Sequence, residues 1–334
     1  MQLGLAGWER ACAGSAPLRF VDVNLRGIGQ VMFQDHPLSG ALFLLAIAWG
    51  SLAAGAPEVL AGGLLGVVVS TLTARWLHVD ATAWRSGLFG YNGLLVGLAL
   101  PTFLVPSPLL WAYVALGAAV SVVATLATAN VVRTWSVAAL TFPFVLTTWL
   151  LLLATYAFAG LDGSALPFGG VVTPIDPALA DPLRPVDFVR GVLASISQVF
   201  LKGGNVAALL FLAGLAVGSR AAAAFAVGGA AIAVVTAHLL GAESELITAG
   251  LLGFSPVLTA VALGTVFHQP GVRVAVYAVL GTVFTVIVQG ALNVALTPIG
   301  VPTLTAPFVL VSWLFLLPRQ HFEHAEGDTA GTPS

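Results

Sequence analysis

The chain has 334 residues, 58% of them hydrophobic and 8% charged, with a mean hydropathy of +1.00; a soluble domain carries about 25% charged residues, so this composition excludes an ordinary water-soluble fold. The net charge is −2, and the cations stand singly along the chain, which excludes the concentrated basic face of a nucleic-acid-binding protein. Cys12 is the one cysteine; it excludes an internal disulfide and a thiolate metal cluster, and neither a metal nor a cofactor is expected.

In chain order, the first 19 residues hold Glu9, Arg10, Pro17 and Arg19, without the apolar stretch and small-residue cleavage site of a secretory leader. Asp22 to Phe33 (DVNLRGIGQVMF) is too short and polar to cross a bilayer and reads as a half-spanning helix. Window hydrophobicity then predicts spans at 38–55, 57–77, 87–104, 108–130 and 141–160, since a crossing needs about 20 apolar residues. No Asp, Glu, Lys or Arg lies between Arg85 and Arg133, or between Arg133 and Asp162. A linker at 161–185, punctuated by Pro167, Pro174, Pro177, Pro182 and Pro185, has no sustained periodicity. Asp187 to Phe200 (DFVRGVLASISQVF) reads as a second half-spanning helix and opens a second set of spans, and the tail after Pro318 is too polar to bury. The expected organisation is a first repeat at 1–160, an external linker at 161–185, a second repeat at 186–318 and a polar cytoplasmic tail at 319–334.

Self-comparison supports the two repeats. Ile28–Ser51 aligns with Ile196–Ser219 at an offset of 168, Gly87–Leu100 with Gly250–Leu263 at 163, and Ala139–Leu152 with Thr303–Leu316 at 164. The last pair shares Thr-x-Pro-Phe-Val-Leu with a Trp five residues after the Phe, which generic apolar helices would not. Five spans per copy is an odd number, so the linker lies across the membrane from the amino terminus and the second copy enters inverted. With the amino terminus inside, Arg75, Arg85, Arg133, Arg220, Arg273 and Arg319 fall on the cytoplasmic side, and Glu58, Asp162, Asp176, Asp181, Glu243 and Glu245 outside, in keeping with the positive-inside rule. Inverted repeats offer a midplane site to both sides of a membrane, so transport is favoured over catalysis.

The half-spanning segments should line something, because irregular backbone at membrane depth is tolerated only against protein or a watery cavity. Gln30 and Gln198 occupy equivalent places in them. A neutral amide offers two donors and an acceptor, which suits another small amide and serves a bare cation poorly; the plainer alternative is a glutamine satisfied by a helix end. Thr141-Phe142-Pro143-Phe144 mirrors Thr305-Ala306-Pro307-Phe308. Proline frees a carbonyl upstream and the threonine hydroxyl adds a second oxygen, so each copy supplies acceptors; the plainer alternative is Pro in the first turn of a helix. Phe33, Tyr91 and Phe254, the last two equivalent at offset 163, with Leu95 and Leu258 one turn on, are the flat or bulky candidates for slot walls.

The blocks RGIGQVMF, GLFGYNGLLVGLALP and VPTLTAPF resemble the motifs of the urea transporter family over roughly residues 20–318, the last block being close to that family's Leu-Pro-x-x-Thr-x-Pro-Phe signature. The resemblance implies an all-α integral membrane protein of two inverted five-span repeats with half-spanning pore helices, assembled as a homotrimer in the lipid of a bacterial plasma (inner) membrane, each protomer conducting urea through its own pore. Matched residue by residue, it implies that Gln30, Val31 and Phe33 belong to one slot, Gln198 and Val199 to the other, and Thr141 and Thr305 to the constricted middle. The chain departs from the pattern in four respects. The first signature copy begins Val137-Ala138 and lacks its first proline, and the second begins with Val301 in place of Leu. Leu201 stands where a mate for Phe33 would be, and Tyr91 where a phenylalanine would be.

Energy coupling needs an intramembrane carboxylate or basic group, and no expected span carries one in its middle; Asp35, His36 and Lys202 follow the half-helices, and His78, His238 and His268 fall at span ends. Passive conduction is therefore expected. An ammonia channel would show histidines within the spans and a water channel paired Asn-Pro-Ala caps, for which Asn92-Gly93 and Ser255-Pro256 are poor substitutes. Catalysis finds no His-x-x-x-His cluster, nucleophile elbow or paired carboxylates in the spans.

Overall fold

The computed structural model describes residues 5–163, 166, 169–173, 176–269 and 271–318; the tail at 319–334, Pro167, Pro174 and Arg319 lie outside this set. Every regular element among the described residues is helical, as an apolar chain in lipid requires, because a helix satisfies its own backbone hydrogen bonds. The first half contains α1 (Leu5–Gly14), α2 (Ala16–Gln30), α3 (Pro37–Ala53), α4 (Pro57–Trp76), α5 (Ala81–Arg85), α6 (Tyr91–Phe103), α7 (Pro108–Val132) and α8 (Phe142–Ala154). The second contains α9 (Pro185–Ser197), α10 (Asn205–Gly218), α11 (Arg220–Leu239), α12 (Ser244–Thr248), α13 (Phe254–Val261), α14 (Val272–Leu296) and α15 (Ala306–Leu316).

The helix starts carry the sequence repeat into the fold. Pro37 of α3 and Asn205 of α10 are 168 positions apart, Tyr91 of α6 and Phe254 of α13 are 163 apart, and Phe142 of α8 and Ala306 of α15 are 164 apart. Backbone irregularities repeat as well: Phe33 and Leu201 both have positive φ (61° and 56°), as do Leu140 and Leu304 (53° and 50°). A bulky side chain in the left-handed region costs about 1–2 kcal/mol and persists only where surrounding structure imposes it.

Two expectations need correcting. α2 starts at Ala16 and not Asp22, because Ser15 caps it by accepting from the Leu18 N–H with Pro17 in the first turn, where the missing N–H is no loss. The predicted spans 87–104 and 141–160 are helices of only 13 residues each, α6 and α8. At 1.5 Å per residue these are about 20 Å long, short of the roughly 30 Å apolar core. Window averages count apolar turns as helix; Gly87–Gly90 and Ser136–Thr141 are apolar or small but not α-helical. Among the described residues four helices are by themselves long and apolar enough to cross, Pro57–Trp76, Pro108–Trp135, Arg220–Leu239 and Val272–Ile299, and a fifth is if Pro185–Phe200 and Asn205–Gly218, bent by 71°, form one broken span.

Packing follows side-chain size. α4 and α6 approach through Gly62 and Gly66 on one helix and Gly93 and Gly97 on the other; a Cβ on Gly66 would collide with the Gly93 carbonyl, and one on Gly62 with that of Gly97. This is the small-residue spacing that lets membrane helices meet backbone to backbone. α3 and α10 join the two halves around Phe43, Phe200 and Phe211, all fully buried, with Phe200 stacked on Phe211 at 4.4 Å and Phe43 edge-on to both.

Candidate functional site

The non-helical stretches ahead of α8 and α15 meet at the boundary of the two halves. Thr141 Oγ1 and Thr305 Oγ1 share a hydrogen bond of 2.6 Å, and both residues are buried. Two further bonds cross the boundary reciprocally: Trp149 Nε1 donates to the Pro302 carbonyl and Trp313 Nε1 to the Ala138 carbonyl, each at 2.8 Å. Donors and acceptors in this pair are both separated by 164 positions, so these two contacts are reciprocal between the halves.

Each threonine is presented by the left-handed leucine before it. The Leu140 carbonyl accepts from the Tyr91 hydroxyl at 2.6 Å and from Asn92 Nδ2 at 3.5 Å, while Asn92 Oδ1 accepts from the Phe144 N–H at 3.2 Å. In the second half Phe254 and Ser255 stand at these positions and cannot do the same. There Gln289 of α14 donates to Thr303 Oγ1 at 2.6 Å. Pro143 and Pro307 are second in their helices, so the plain reading of a proline in the first turn holds for both and coexists with the adjoining threonine pair.

Phe33, half-buried after α2, faces two rings from the second half: Phe308 at 6.2 Å and Phe267 at 6.1 Å, both edge-on. Phe267 is absent from the sequence reading. It ends a π turn, Ala262–Val266, and its N–H reaches back to the Ala262 carbonyl; single π turns in α-helices often mark functional positions. Its repeat mate is Leu104, and Leu201 shares the left-handed backbone of Phe33, while the neighbouring Phe200 is lost to the core. One end of the structure therefore gathers three aromatic rings where the equivalent positions of the other offer Leu201, Leu104 and Phe144.

The two glutamines differ. Gln30 Nε2 donates to the Ser86 carbonyl at 2.9 Å, so one of its amide hydrogens is used by the turn before α6, as the plainer reading expects. Gln198 is half-buried; its backbone is bonded to Ala194 and Leu201, and its side-chain amide has no hydrogen bond among the described residues. Val31, Val199, Leu95 and Leu258 are buried in the main apolar cluster, with Tyr91, Phe254, Phe33 and Leu201 packed against it. Open cavities of about 550 and 530 Å³ lie elsewhere, at the outer ends of α2 and α9. They are walled by ions, and none of the sequence-predicted residues lines either, so cavity size does not locate the pathway.

Few ionisable groups are deep. Asp22 is held by Arg26 at 2.8 Å and by Trp8 Nε1 at 2.6 Å, and Arg26 also reaches Asp35 at 2.9 Å, a closed network at the base of α2. Lys202, which follows the second half-helix, is only 5% exposed, its stem laid on Gly50 of α3. Among the described residues no group of three His, Cys, Asp or Glu is placed to hold a metal.

The apolar helices define an α-helical integral membrane protein, and a buried pair of uncharged hydroxyls lies where the two halves of its chain meet. The urea transporter family profile matches residues 21–320, and the chain belongs to that family. It is 30% identical over 306 residues to urea transporter 1 of Ovis aries, covering 90% of this chain and 77% of the sheep protein. It is similar at 27% over 307 residues to urea transporter 1 of Rattus norvegicus and at 28% over 310 to that of Mus musculus, with the same shares covered.

Proposed function

We propose that this protein conducts urea passively, down its gradient, through a pore in each protomer that runs alongside the Thr141–Thr305 pair, whose joined hydroxyls form one wall of its narrow middle. The observation that carries the reading is the 2.6 Å bond between these two hydroxyls, buried where the two halves meet. Urea is neutral and carries both amide donors and a carbonyl acceptor, and a hydroxyl can serve either. The family consists of channels and not enzymes, which answers the catalytic alternative; the remaining alternative is ammonia, water or another small neutral solute.

The finer architecture belongs to the same reading. The halves are inverted five-span repeats in which short helices such as α6 and α8 complete a crossing together with the non-helical stretches before them, and α2 and α9 are half-spanning pore helices; the reciprocal tryptophan bonds and the matched helix starts support this reading. The pore is lined by Gln30, Val31, Phe33, Tyr91, Leu95, Thr141 and Pro143 and by Gln198, Val199, Leu201, Phe254, Leu258, Thr305 and Pro307. The assembly is a homotrimer in the plasma membrane with both termini cytoplasmic.

Purified protein in liposomes should carry urea in proportion to its gradient alone and carry it well above ammonia or water. Steady accumulation driven by a pH gradient, sodium or membrane potential would overturn passive conduction, and would direct attention to Lys202.

A further inference from the structure

Hydroxyls on apolar helices ordinarily turn back and donate to the carbonyl four residues earlier, and this protein keeps the habit. Ser70, Thr102, Thr125, Thr282 and Thr285 do so at 2.7 or 2.8 Å. Thr148 on α8 and Ser312 on α15 do not. Both are fully buried, and neither hydroxyl has a partner. They are repeat mates, 164 positions apart.

Other buried hydroxyls also lack partners, namely Ser39, Ser51, Thr147 and Ser255, but none forms such a pair. The mates of Ser39 and Thr147 are Ala207 and Val311, that of Ser255 is the fully bonded Asn92, and that of Ser51 is Ser219, which caps α11. Thr148 and Ser312 are therefore the one repeat-related pair of orphaned hydroxyls among the described residues.

Their placement is equally regular. Leu146, Leu150 and Leu153 mark the exposed face of α8, and Leu310, Leu314 and Leu317 that of α15; at 100° per residue Thr148 and Ser312 fall on the opposite faces. Each lies seven residues beyond its central threonine, two turns or about 10 Å along the same helix face. A hydroxyl left unpaired in a buried place is costly unless something else binds it, and here two equivalent ones flank the Thr141–Thr305 crossing.

We infer that Thr148 and Ser312 are specificity-determining residues that hydrogen-bond a small neutral amide on either side of the threonine pair; the inference rests on the urea reading above. Each hydroxyl accepts from an amide N–H or donates to a carbonyl oxygen, so a solute leaving the centre exchanges one pair of hydroxyls for the next. A solute with a single polar atom gains less from this succession.

Urea flux into liposomes and thermal stability in detergent should be measured for Thr148→Val, Ser312→Ala and their double variant. Thr148→Ser and Ser312→Thr keep the hydroxyl, and Thr147→Val reproduces the other half's valine. The expected result is a threefold to tenfold loss of urea flux in each hydroxyl-less variant and a larger loss in the double. Melting temperature should hold or rise, because an orphaned group has been removed, and flux should be normal in the hydroxyl-keeping variants and in Thr147→Val. Wild-type flux in the double variant overturns the inference, as does lowered stability with unchanged flux, or an equal loss in Thr147→Val. Should Thr141→Val slow urea while the Thr148 and Ser312 variants do not, the inference falls and the channel reading stands; if the wild-type protein carries no urea, the channel reading falls first.

Discussion

Thr141 and Thr305 satisfy each other across 2.6 Å, which makes their single and double replacements behave differently. Removing one hydroxyl leaves the other buried and unpaired, at a cost of about 1–3 kcal/mol, whereas removing both from a matched site is nearly neutral. Thr141→Val and Thr305→Val should each lower stability by about 1 kcal/mol, and the double variant by less than their sum, a non-additivity expected of residues in contact. Urea flux should run the other way, falling several-fold to tenfold in either single variant and further in the double; wild-type flux in a folded double variant would place the constriction elsewhere. The threonines were legible as a repeated motif, and their bond to each other was not, because offset says nothing about distance. Phe267 was invisible for a related reason: its position depends on a π turn that shifts the register after Val261.

At the scale of elements, close helix approach is the property most exposed to mutation. A Cβ on Gly66 would meet the Gly93 carbonyl, whereas one on Gly228 would meet nothing within 4 Å. Gly66→Leu should therefore abolish the monodisperse peak in fluorescence-detected gel filtration, and Gly66→Ala should lower the melting temperature by several degrees. Gly228→Ala should be neutral or slightly stabilising, since it removes only backbone freedom. A Gly66→Leu protein with normal yield and stability would show that α4 and α6 can separate. The same tight pair carries Tyr91 and Asn92 on α6 to the Leu140 carbonyl, so damage here should lower flux as well as stability. The 13-residue lengths of α6 and α8 belong to this design: both helices begin where the Tyr91 hydroxyl meets the Leu140 carbonyl.

For the whole molecule, the proposed inversion is testable by sidedness. On a Cys12→Ser background, a cysteine at Val171, an exposed linker position, should react with an impermeant thiol reagent from outside intact cells. Cysteines at the exposed Arg133 and Arg273 should react only after permeabilisation. External labelling at Arg133 or Arg273 reverses the orientation. The broad apolar exterior, including Leu45, Trp49, Leu150 and Leu314, is what lipid and neighbouring protomers cover in the proposed homotrimer.

Composition alone determined that the chain lives in a membrane, because so few charges cannot solvate a soluble surface. Internal similarity led to the proposal of two repeats, and the repeated Thr-x-Pro-Phe blocks pointed to the two threonines that bond each other; these features are local or periodic and survive in one dimension. The tertiary structure decided which helices are half-length, that the two threonines touch, that Phe33 meets Phe308 and Phe267, and that Gln30 is tied to Ser86 while Gln198 is not. Each of these depends on distances between segments up to 275 positions apart, as between Phe33 and Phe308. Such distances are set by helix packing, by glycine-to-glycine approach and by left-handed turns imposed on Phe33, Leu140, Leu201 and Leu304, conformations that a bulky residue does not choose for itself and that only the assembled helices hold in place.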